Sequence, residues 1–280
     1  MTRRGSLLFG AMCVIWGIPY LLIKVAVRDF SPGTLVFCRT GIGALLLLPI
    51  AAARGELRPV VPRWRPLVAY TVVELAVPWV LLSKAEQRLP SSLTGLLVAA
   101  VPMVGAVFAW SLGDRDRLGA RGYVGLLVGL AGVAALVGFD VSGASGTSVA
   151  LMAIVVLGYA TGPLILARRL GDLPPLGVVA ASLGLCALGY APYGLTHLPP
   201  VTPPGRVLAA VLVLGVVCTA LAFVLFFYLI AEVGPVRATV ITYVNPAVAV
   251  VLGVTFLDET FGLAAGIGFA LILAGSFLAT

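Results

Sequence analysis

The sequence predicts an all-α membrane protein with ten transmembrane helices, because it is very apolar and its apolar runs are long and unbroken. Hydrophobic residues make up 61% of the 280 residues and charged residues only 10%, whereas a soluble domain carries about 25% charged residues. No soluble core can hide that much apolar surface, so lipid must cover the remainder. The apolar runs do not alternate with polar residues, which favours helices over strands.

Proline, glycine and charged residues divide the chain into ten apolar stretches. Each is long enough to cross a hydrocarbon core of about 30 Å at about 1.5 Å per helical residue, although the third and sixth are short. The first stretch has no small-residue cleavage site after it, so it predicts a helix rather than a signal peptide. The predicted helices are Ser6–Val27, Pro32–Ala53, Pro66–Ser83, Ser91–Leu112, Gly119–Phe139, Ser148–Ala167, Pro174–Tyr193, Arg206–Ile230, Pro235–Leu257 and Phe261–Ala279.

Lysine and arginine are distributed unevenly between the two sets of connections. With the amino terminus inside, twelve lie on the cytoplasmic side, namely Arg3, Arg4, Arg54, Arg58, Arg63, Arg65, Arg115, Arg117, Arg121, Arg168, Arg169 and Arg237. Five lie at the external ends, namely Lys24, Arg28, Lys84, Arg88 and Arg206. This bias predicts an inner- or plasma-membrane protein with both termini in the cytoplasm. It also explains the net charge of +7 without a nucleic-acid partner.

The two halves of the chain resemble each other at a spacing of about half its length. The paired residues are separated by 143 to 146 positions: Pro32 with Pro175, Gly41 with Gly184, Pro49 with Pro192, Pro102 with Pro246, Asp114 with Asp258, and Glu86 with Glu232. A half with five helices crosses the membrane an odd number of times, so the halves run in opposite senses. We therefore predict two inverted five-helix repeats, residues 1–140 and 147–280, with a binding site near the midplane between them.

Four motifs carry a resemblance to a known family. They are Trp16-Gly17, the "SPGTLVFCR" that ends at Arg39, the "AEQRLPSSLTGLL" before Pro102, and the stretch from Gly215 to Glu259. In this order, and duplicated, they resemble the EamA-type ten-helix carriers of the drug/metabolite transporter superfamily. The resemblance implies a carrier that works by alternating access without ATP, often as an exporter of amino acids or other metabolites.

Glu74 is the first candidate for chemistry, because an ionisable side chain is expensive in hydrocarbon. It lies about eight residues into its predicted helix, or roughly 12 Å from the cytoplasmic end. It could couple proton entry to substrate exit, or bind a cationic group directly. The alternative is a structural carboxylate paired with a buried arginine, for which Arg39 is the natural partner. Arg39 could instead grip a substrate carboxylate or phosphate, or extend to the external surface.

Trp16, Tyr20 and Lys24 recur at intervals of four residues in the first predicted helix. This spacing places them on one helix face. If the face lines a cavity, the two aromatic rings could stack against an apolar or aromatic substrate. The alternative is anchoring at the membrane interface, which suits Lys24 better than Trp16.

Prolines within the predicted helices indicate kinks where backbone carbonyls are free. Pro78 adjoins Trp79 and lies four residues after Glu74, whose carbonyl loses its helical hydrogen bond. Pro163 frees the carbonyl of Tyr159 in the same way. Such kinks can line a cavity or serve as hinges, so Trp79 and Tyr159 are further candidates for substrate binding.

Tyr243 and Asn245 precede Pro246 and add polar atoms at membrane depth. Both are candidates for substrate binding. For Asn245 the alternative is an interhelical hydrogen bond, which is worth about 0.6 kcal/mol on average in membranes. Outside the helix centres, Glu86 and Glu232 precede predicted helix starts and are interpreted as helix caps.

Glycines recur on single faces of the fifth and tenth predicted helices, a pattern typical of close helix packing. We predict contact between these two helices. Whether this contact belongs to a homodimer interface is left open. The glycines are Gly122, Gly125, Gly129 and Gly132 in the fifth helix and Gly262 and Gly266 in the tenth.

The chain lacks the motifs of a membrane enzyme. It has one histidine and no HExxH, GxxxxGK[ST] or GxSxG, so we predict no catalytic residue, metal or cofactor. The predicted function is a secondary transporter that exports a small amino-acid-like, amphipathic or aromatic metabolite, with protons as a second partner. An uncoupled facilitator, an importer and a non-transporting membrane protein are the alternatives.

Overall fold

The structure is a computed structural model that describes residues 2–111, 120–139, 146–233 and 241–279. Within these residues the secondary structure is helical, without strands. Asp114, Arg115, Arg117 and Arg237 of the sequence predictions lie outside the described residues. We number the helices in chain order as α1 (Arg3–Ala26), α2 (Pro32–Ala53), α3 (Val61–Glu86), α4 (Ser91–Val98 and Val101–Ser111), α5 (Ala120–Phe139), α6 (Gly146–Leu170), α7 (Pro175–Thr196), α8 (Gly205–Val233), α9 (Ile241–Leu257) and α10 (Leu263–Ala279).

Seven helices in the described part of the chain are long and apolar enough to cross a membrane: α1 to α4 and α6 to α8. Shorter apolar helices occupy Arg121–Ala135, Ile241–Leu257 and Leu263–Gly275. The prediction that the third and sixth helices are short is wrong, because α3 has 26 residues and α6 has 25. Pro66 does not begin α3; it lies in the first turn of the segment Trp64–Tyr70, where a missing N–H is tolerated.

Four helices are interrupted near their middles. α1 breaks at residues 16–18 and α4 at residues 99–100, and α3 and α8 each contain a π-helical turn, at Thr71–Ala76 and Val216–Leu221. A third π-helical turn, Leu166–Leu170, ends α6. The π-helical turns of α3 and α8 start 145 positions apart, at residues 71 and 216. This separation falls within the spacing of the sequence repeat.

The π-helical turn of α3 is explained by the proline that follows it. Pro78 has no N–H for the carbonyl of Glu74. The turn widens, and the N–H of Val77 donates to the carbonyl of Val72, five residues back. The predicted irregularity at Pro78 is therefore confirmed, and it takes the form of a π-helical turn.

Contacts between helices follow a regular pattern that joins the first half of the chain to the second. Extensive contacts link α5 with α10, α2 with α7, α4 with α9, α3 with α6, and α1 with α8. Further contacts link α2 with α8, α3 with α7, α4 with α6, and α1 with α9. This set of pairs has an exchange symmetry between the two halves. If each helix is replaced by the helix five places away in the chain, α5–α10 remains the same pair, α3–α6 becomes α8–α1, and every other pair likewise becomes a member of the set. The buried core is therefore shared by the two halves.

The predicted contact between the fifth and tenth helices is confirmed, but different glycines of α10 make it. A Cβ added at Gly275 would overlap the backbone of Gly129, and one added at Gly132 would lie 2.7 Å from the carbonyl of Gly268. Among the described residues, Gly262 has no atom within 4 Å of the corresponding position, and the atoms nearest to that of Gly266 belong to the Phe261 ring. The contact forms within one chain, so the glycine pattern is explained without a dimer.

Polar contacts distinguish the two ends of the helix bundle. At one end, here named the Lys24 end, Lys24 Nζ donates to the carbonyls of Glu86 and Leu89 at 2.7 Å each. At the other, here named the Arg63 end, Arg63 Nη2 pairs with Asp172 Oδ2 at 3.0 Å. Two cavities, of about 390 and about 270 Å³, open on the Arg63 side. The first lies between α4 and α6, and the second between α2, α7 and α8.

Candidate functional site

Arg39 lies where α2, α3 and α8 meet, and it is 4% exposed. Its Cζ lies 3.7 Å from the centroid of the Trp79 ring, and its Nη2 donates to Thr219 Oγ1 at 3.2 Å. The aromatic face and the hydroxyl together hold the guanidinium in one orientation. Arg39 thus presents a fixed cation between the first and second halves of the chain.

The guanidinium of Arg39 retains binding capacity. Its Nε is buried and has no hydrogen-bond partner among the described residues. A guanidinium recognises a carboxylate through parallel N–H···O bonds that are roughly twice as strong as neutral ones. This arrangement is therefore suited to a ligand that carries a carboxylate.

Trp79 and Tyr159 form an aromatic wall beside Arg39. Trp79 belongs to α3 and is 7% exposed, and the hydroxyl of Tyr159 in α6 interacts with its side chain. The Tyr159 side chain packs against two buried apolar clusters. The structure thus brings three predicted candidates together. Aromatic surface beside a guanidinium suits a ligand with an apolar part next to its carboxylate.

Glu74 lies in the π-helical turn of α3 and faces α6 at Gly162. A Cβ added at Gly162 would overlap Glu74 Oε2 and lie 2.8 Å from Glu74 Cβ, so the absence of a side chain on α6 makes room for the carboxyl group. Oε2 is buried without a hydrogen-bond partner among the described residues. An unpaired charge at such a place costs several kcal/mol.

Two alternatives for Arg39 and Glu74 are contradicted by this geometry. Ion pairs within 4.0 Å among the described residues are Arg54 with Glu56 and Arg63 with Asp172, so Arg39 and Glu74 are not an ion pair. Nor does Arg39 extend to the surface, because Trp79 and Thr219 hold it within the bundle. The partners of the buried guanidinium are instead the Trp79 ring and the Thr219 hydroxyl.

The predicted aromatic face of α1 is divided by the break at residues 16–18. Trp16 packs against Phe223 and Phe226 of α8, with ring centroids 5.9 and 4.7 Å away. Tyr20 is buried beside Gly95 of α4, whose added Cβ would lie 3.6 Å from the Tyr20 ring. Lys24 reaches the end of α3. The three side chains therefore contact three different helices.

Asn245 is buried in α9 and connects it to α1. In the amide orientation that satisfies both groups, its nitrogen donates to the carbonyls of Cys13 at 3.0 Å and of Ile241 at 2.9 Å. This is the interhelical hydrogen bond that the sequence offered as the alternative to substrate binding. Tyr243 lies two residues earlier and is half-buried.

The structure places at the site several residues that the sequence analysis missed. Thr219 is fully buried, donates to the carbonyl of Leu214 at 2.7 Å and accepts from Arg39. Tyr190 donates to the carbonyl of Ala76, at the end of the π-helical turn, at 2.9 Å. The sequence repeat could have identified Thr219, because Thr219 stands 145 positions after Glu74, within the spacing of the repeat. The described residues contain no cluster of three or more side chains that could hold a metal.

Glu86 was interpreted as a helix cap, and that prediction is wrong. It is the last residue of α3, its side chain is fully buried, and both carboxyl oxygens lack hydrogen-bond partners among the described residues. The amides at the start of α4 are bound instead by Glu259, whose Oε1 and Oε2 accept from the N–H groups of Ser91 at 2.7 Å and Ser92 at 2.9 Å. Glu86 is close to this helix start in the sequence, but Glu259, which is distant in the sequence, binds its amides in the structure.

Comparisons with known proteins agree with this architecture. The chain is 31% identical over 269 residues to YedA of Escherichia coli strain K12, an uncharacterized inner membrane transporter, covering 90% of this chain and 84% of that protein. It is 28% identical over 280 residues to a probable terminal-alkyne amino-acid exporter of Streptantibioticus cattleyicolor, covering 95% and 89%. It also shares its fold with a protein of known crystal structure, with a TM-score of 0.70 and 24% identity over 99% of this chain and 96% of that one.

The family itself is defined by a match that covers nearly the whole chain. The EamA-like transporter family matches it twice, over residues 3–138 and 146–280. Together with the apolar helices, the match indicates a transporter. The chain belongs to the EamA-like transporter family of the drug/metabolite transporter superfamily, and it is a membrane transporter.

Proposed function

We propose that this transporter exports a small amphipathic metabolite with a carboxylate group, such as an amino acid or an aromatic acid, by alternating access with proton antiport. The observation that carries the proposal is Arg39, a buried cation fixed between the two halves by Trp79 and Thr219. Arg39 would bind the carboxylate, and Trp79 and Tyr159 would contact the apolar part. Relative movement of the halves would then make or break the binding site.

The architecture that we propose for this mechanism is ten membrane-crossing helices in two inverted repeats, residues 1–140 and 147–280. The exchange symmetry of the helix contacts supports it, as do the π-helical turns of α3 and α8, which start 145 positions apart. The separate family matches to residues 3–138 and 146–280 also support it. Inverted repeats provide two packing arrangements of similar energy, which is what alternating access requires.

We propose an inner-membrane location with both termini in the cytoplasm, so that the Lys24 end is external. The concentration of arginine at the Arg63 end supports this orientation through the positive-inside bias. The relative YedA is an inner membrane transporter. In this orientation the two cavities face the cytoplasm, and neither is lined by Arg39, Trp79 or Tyr159.

Glu74 is the proposed coupling residue. Its carboxyl group lies in the irregular turn of α3 directly against α6, where a helix movement would change its surroundings. Binding a proton when exposed and releasing it to the other side would couple proton entry to substrate exit. The exporter name of the relative from Streptantibioticus supports both the direction and an amino-acid-like substrate.

The first experiment identifies the substrate. Cells with and without the protein are screened for metabolite export and for tolerance of added amino acids and aromatic acids. Purified protein in proteoliposomes then transports the best candidate with and without an imposed pH gradient. We expect the gradient to accelerate flux in wild-type protein and to have no effect in Glu74→Gln.

Glu56→Gln is the matched control, because Glu56 pairs with Arg54 at 4.0 Å outside the proposed site. It should respond to the gradient as the wild type does. If Glu74→Gln retains the full response, Glu74 is not the coupling residue. If the wild type does not respond either, the protein is an uncoupled facilitator, which is the alternative function.

A further inference from the structure

Several polar groups converge at the Lys24 end on residues 86–92, which join α3 to α4; we name this segment the α3–α4 corner. From one side, the ammonium of Lys24 in α1 binds the corner's carbonyls at Glu86 and Leu89. From another, the carboxylate of Glu259, between α9 and α10, binds its amides at Ser91 and Ser92. These two sets of hydrogen bonds, here named the two ties, hold the corner to α1 and to the second half of the chain.

The carboxyl group of Glu86 interacts electrostatically with Lys24 and with Glu259 but joins neither tie. The side chain is 0% exposed, and neither oxygen has a hydrogen-bond partner among the described residues. The charges that act on it are Lys24, Glu259 and Arg39. Lys24 and Glu259 are already engaged with backbone groups, and Arg39 with Trp79 and Thr219.

Among the described residues, the other titratable groups shown to act on Glu86 are two tyrosines. Tyr20 of α1 and Tyr159 of α6 are both within electrostatic range of the carboxyl group, and both side chains are neutral phenols. The hydroxyl of Ser91 at the start of α4 is itself buried without a partner. An ionised Glu86 would therefore be an unpaired charge in this arrangement, at a cost of several kcal/mol.

We propose that Glu86 is a proton-binding site at the Lys24 end, and that its ionisation releases the two ties that hold the α3–α4 corner. In the protonated state the neutral carboxyl group leaves Lys24 and Glu259 on their backbone partners. When the proton leaves to the adjoining solution, the new carboxylate attracts the ammonium of Lys24 away from the carbonyls. It also repels the carboxylate of Glu259 away from the amides.

The direction of this pH effect is consistent with alternating access, in which the Lys24 end must open and close. Protonation of Glu86 closes the Lys24 end, and loss of the proton loosens it. The site is separate from Glu74, which lies about twelve residues earlier, or roughly 18 Å along α3 by helical rise. It does not depend on which substrate is carried or on whether Glu74 couples protons.

Amide hydrogen exchange of the full chain in lipid nanodiscs, followed by mass spectrometry, tests the ties. Exchange rates of peptides that cover the corner are divided by their intrinsic rates at each pH, from acidic to alkaline. In wild-type protein we expect protection to fall about tenfold with rising pH, corresponding to loss of a charge-assisted hydrogen bond. Glu86→Gln should keep high protection at every pH, and Glu259→Gln should have low protection at every pH.

Two further variants separate this site from others. Glu56→Gln and Asp172→Asn change carboxylates that form ion pairs on the Arg63 side, and both should retain the pH dependence of the wild type at the corner. Because the measurement uses no substrate, it can fail while the flux experiment succeeds, and the reverse. If protection in Glu86→Gln falls with pH as in the wild type, or if either of these two variants abolishes the fall, the proposal is wrong.

Infrared spectroscopy of the same samples observes the proton directly. The C=O stretch of a protonated carboxyl group should disappear from the wild type on alkalinisation, and Glu86→Gln should lack part of this pH-dependent band. An unchanged band in Glu86→Gln contradicts the proposal. If that variant does not fold, Glu86→Asp retains a titratable carboxyl group, and a corner that then shows no pH dependence also contradicts it.

Discussion

Arg39 Nη2 in α2 donates to Thr219 Oγ1 in α8 at 3.2 Å, across 180 positions of the sequence. Thr219 is the fourth residue of the π-helical turn of α8, and Glu74 is the fourth residue of the π-helical turn of α3. The same structural position therefore carries a carboxyl group in one half and the partner of a buried cation in the other. The two halves therefore have the same irregular helical turn at this position but carry different polar side chains in it.

Thr219→Val should lower stability, because it leaves a buried N–H of Arg39 and the carbonyl of Leu214 without their partner. We expect a loss of about 1–3 kcal/mol in the free energy of unfolding, measured by thermal or denaturant unfolding in detergent. Ser182→Ala is the control, since Ser182 occupies the repeat position of Arg39 and its buried hydroxyl has no partner to lose. Equal losses in the two variants would show that the hydrogen bond to Arg39 contributes little.

Arg39→Lys should weaken transport of a carboxylate substrate while keeping the charge. A lysine can neither stack on Trp79 as a planar group nor form two parallel bonds to a carboxylate. We expect KM to rise about tenfold to a hundredfold, as the loss of one strong charged hydrogen bond implies. Arg206→Lys, at an exposed position, should leave KM unchanged in the same proteoliposome assay. An unchanged KM in Arg39→Lys would remove Arg39 from the substrate site.

Gly162→Ala should disturb the contact between α3 and α6, because its methyl group would overlap the carboxyl group of Glu74. We expect a loss of about 1–3 kcal/mol in the free energy of unfolding. Glu74→Ala combined with Gly162→Ala should recover part of that loss, because the overlapping oxygen is gone.

Gly189→Ala is the control for this contact, since nothing lies within 4 Å of its added Cβ. It should be neutral or stabilising by up to about 1 kcal/mol through helix propensity. Additive effects of Gly162→Ala and Glu74→Ala would mean that the two side chains do not meet.

Gly275→Ala should separate α5 from α10, because its Cβ would overlap the backbone of Gly129 and no rotamer change relieves a backbone overlap. Gly262→Ala has open space and should be neutral. Midpoints of thermal unfolding for the two variants test which glycines of this region form the contact. If Gly275→Ala leaves the unfolding midpoint unchanged, the result would support the sequence prediction that Gly262 and Gly266 form the contact between α5 and α10.

Cysteine labelling tests the proposed orientation. His197 and Arg54 are both exposed at helix ends, His197 after α7 and Arg54 after α2. A membrane-impermeant thiol reagent should label His197→Cys in intact cells, and Arg54→Cys only after permeabilisation. The parent protein provides the background, because three of its four cysteines are buried. The reverse pattern would place the termini outside.

The helix ends were largely predictable because they depend on local residue types. Pro32–Ala53 was predicted with both ends correct, and most other boundaries lie within a few residues of the observed ones. The kink at Pro78 followed from the missing N–H of proline alone. Proline and charged residues act on the backbone next to them, so their effects can be read without knowing the tertiary fold.

The partners of the polar groups were not predictable, because they lie far apart in the sequence. The sequence offered Glu74 as the partner of Arg39, whereas the structure provides Trp79 and Thr219. It offered a cap role for Glu86, whereas Glu259 binds the amides at that helix start. In each case a residue of the second half supplied the contact.

By itself the sequence determined that this chain is a helical membrane protein of a transporter family, where its helices begin and end, and that its halves repeat. Only the tertiary structure decided which faces of those helices are buried and which polar groups meet. The physical reason is the solvent: lipid is as apolar as a protein core, so buried and lipid-facing surfaces have similar composition. The pattern that marks a buried face in a soluble helix is therefore weak here, and packing alone brings Arg39 to Thr219.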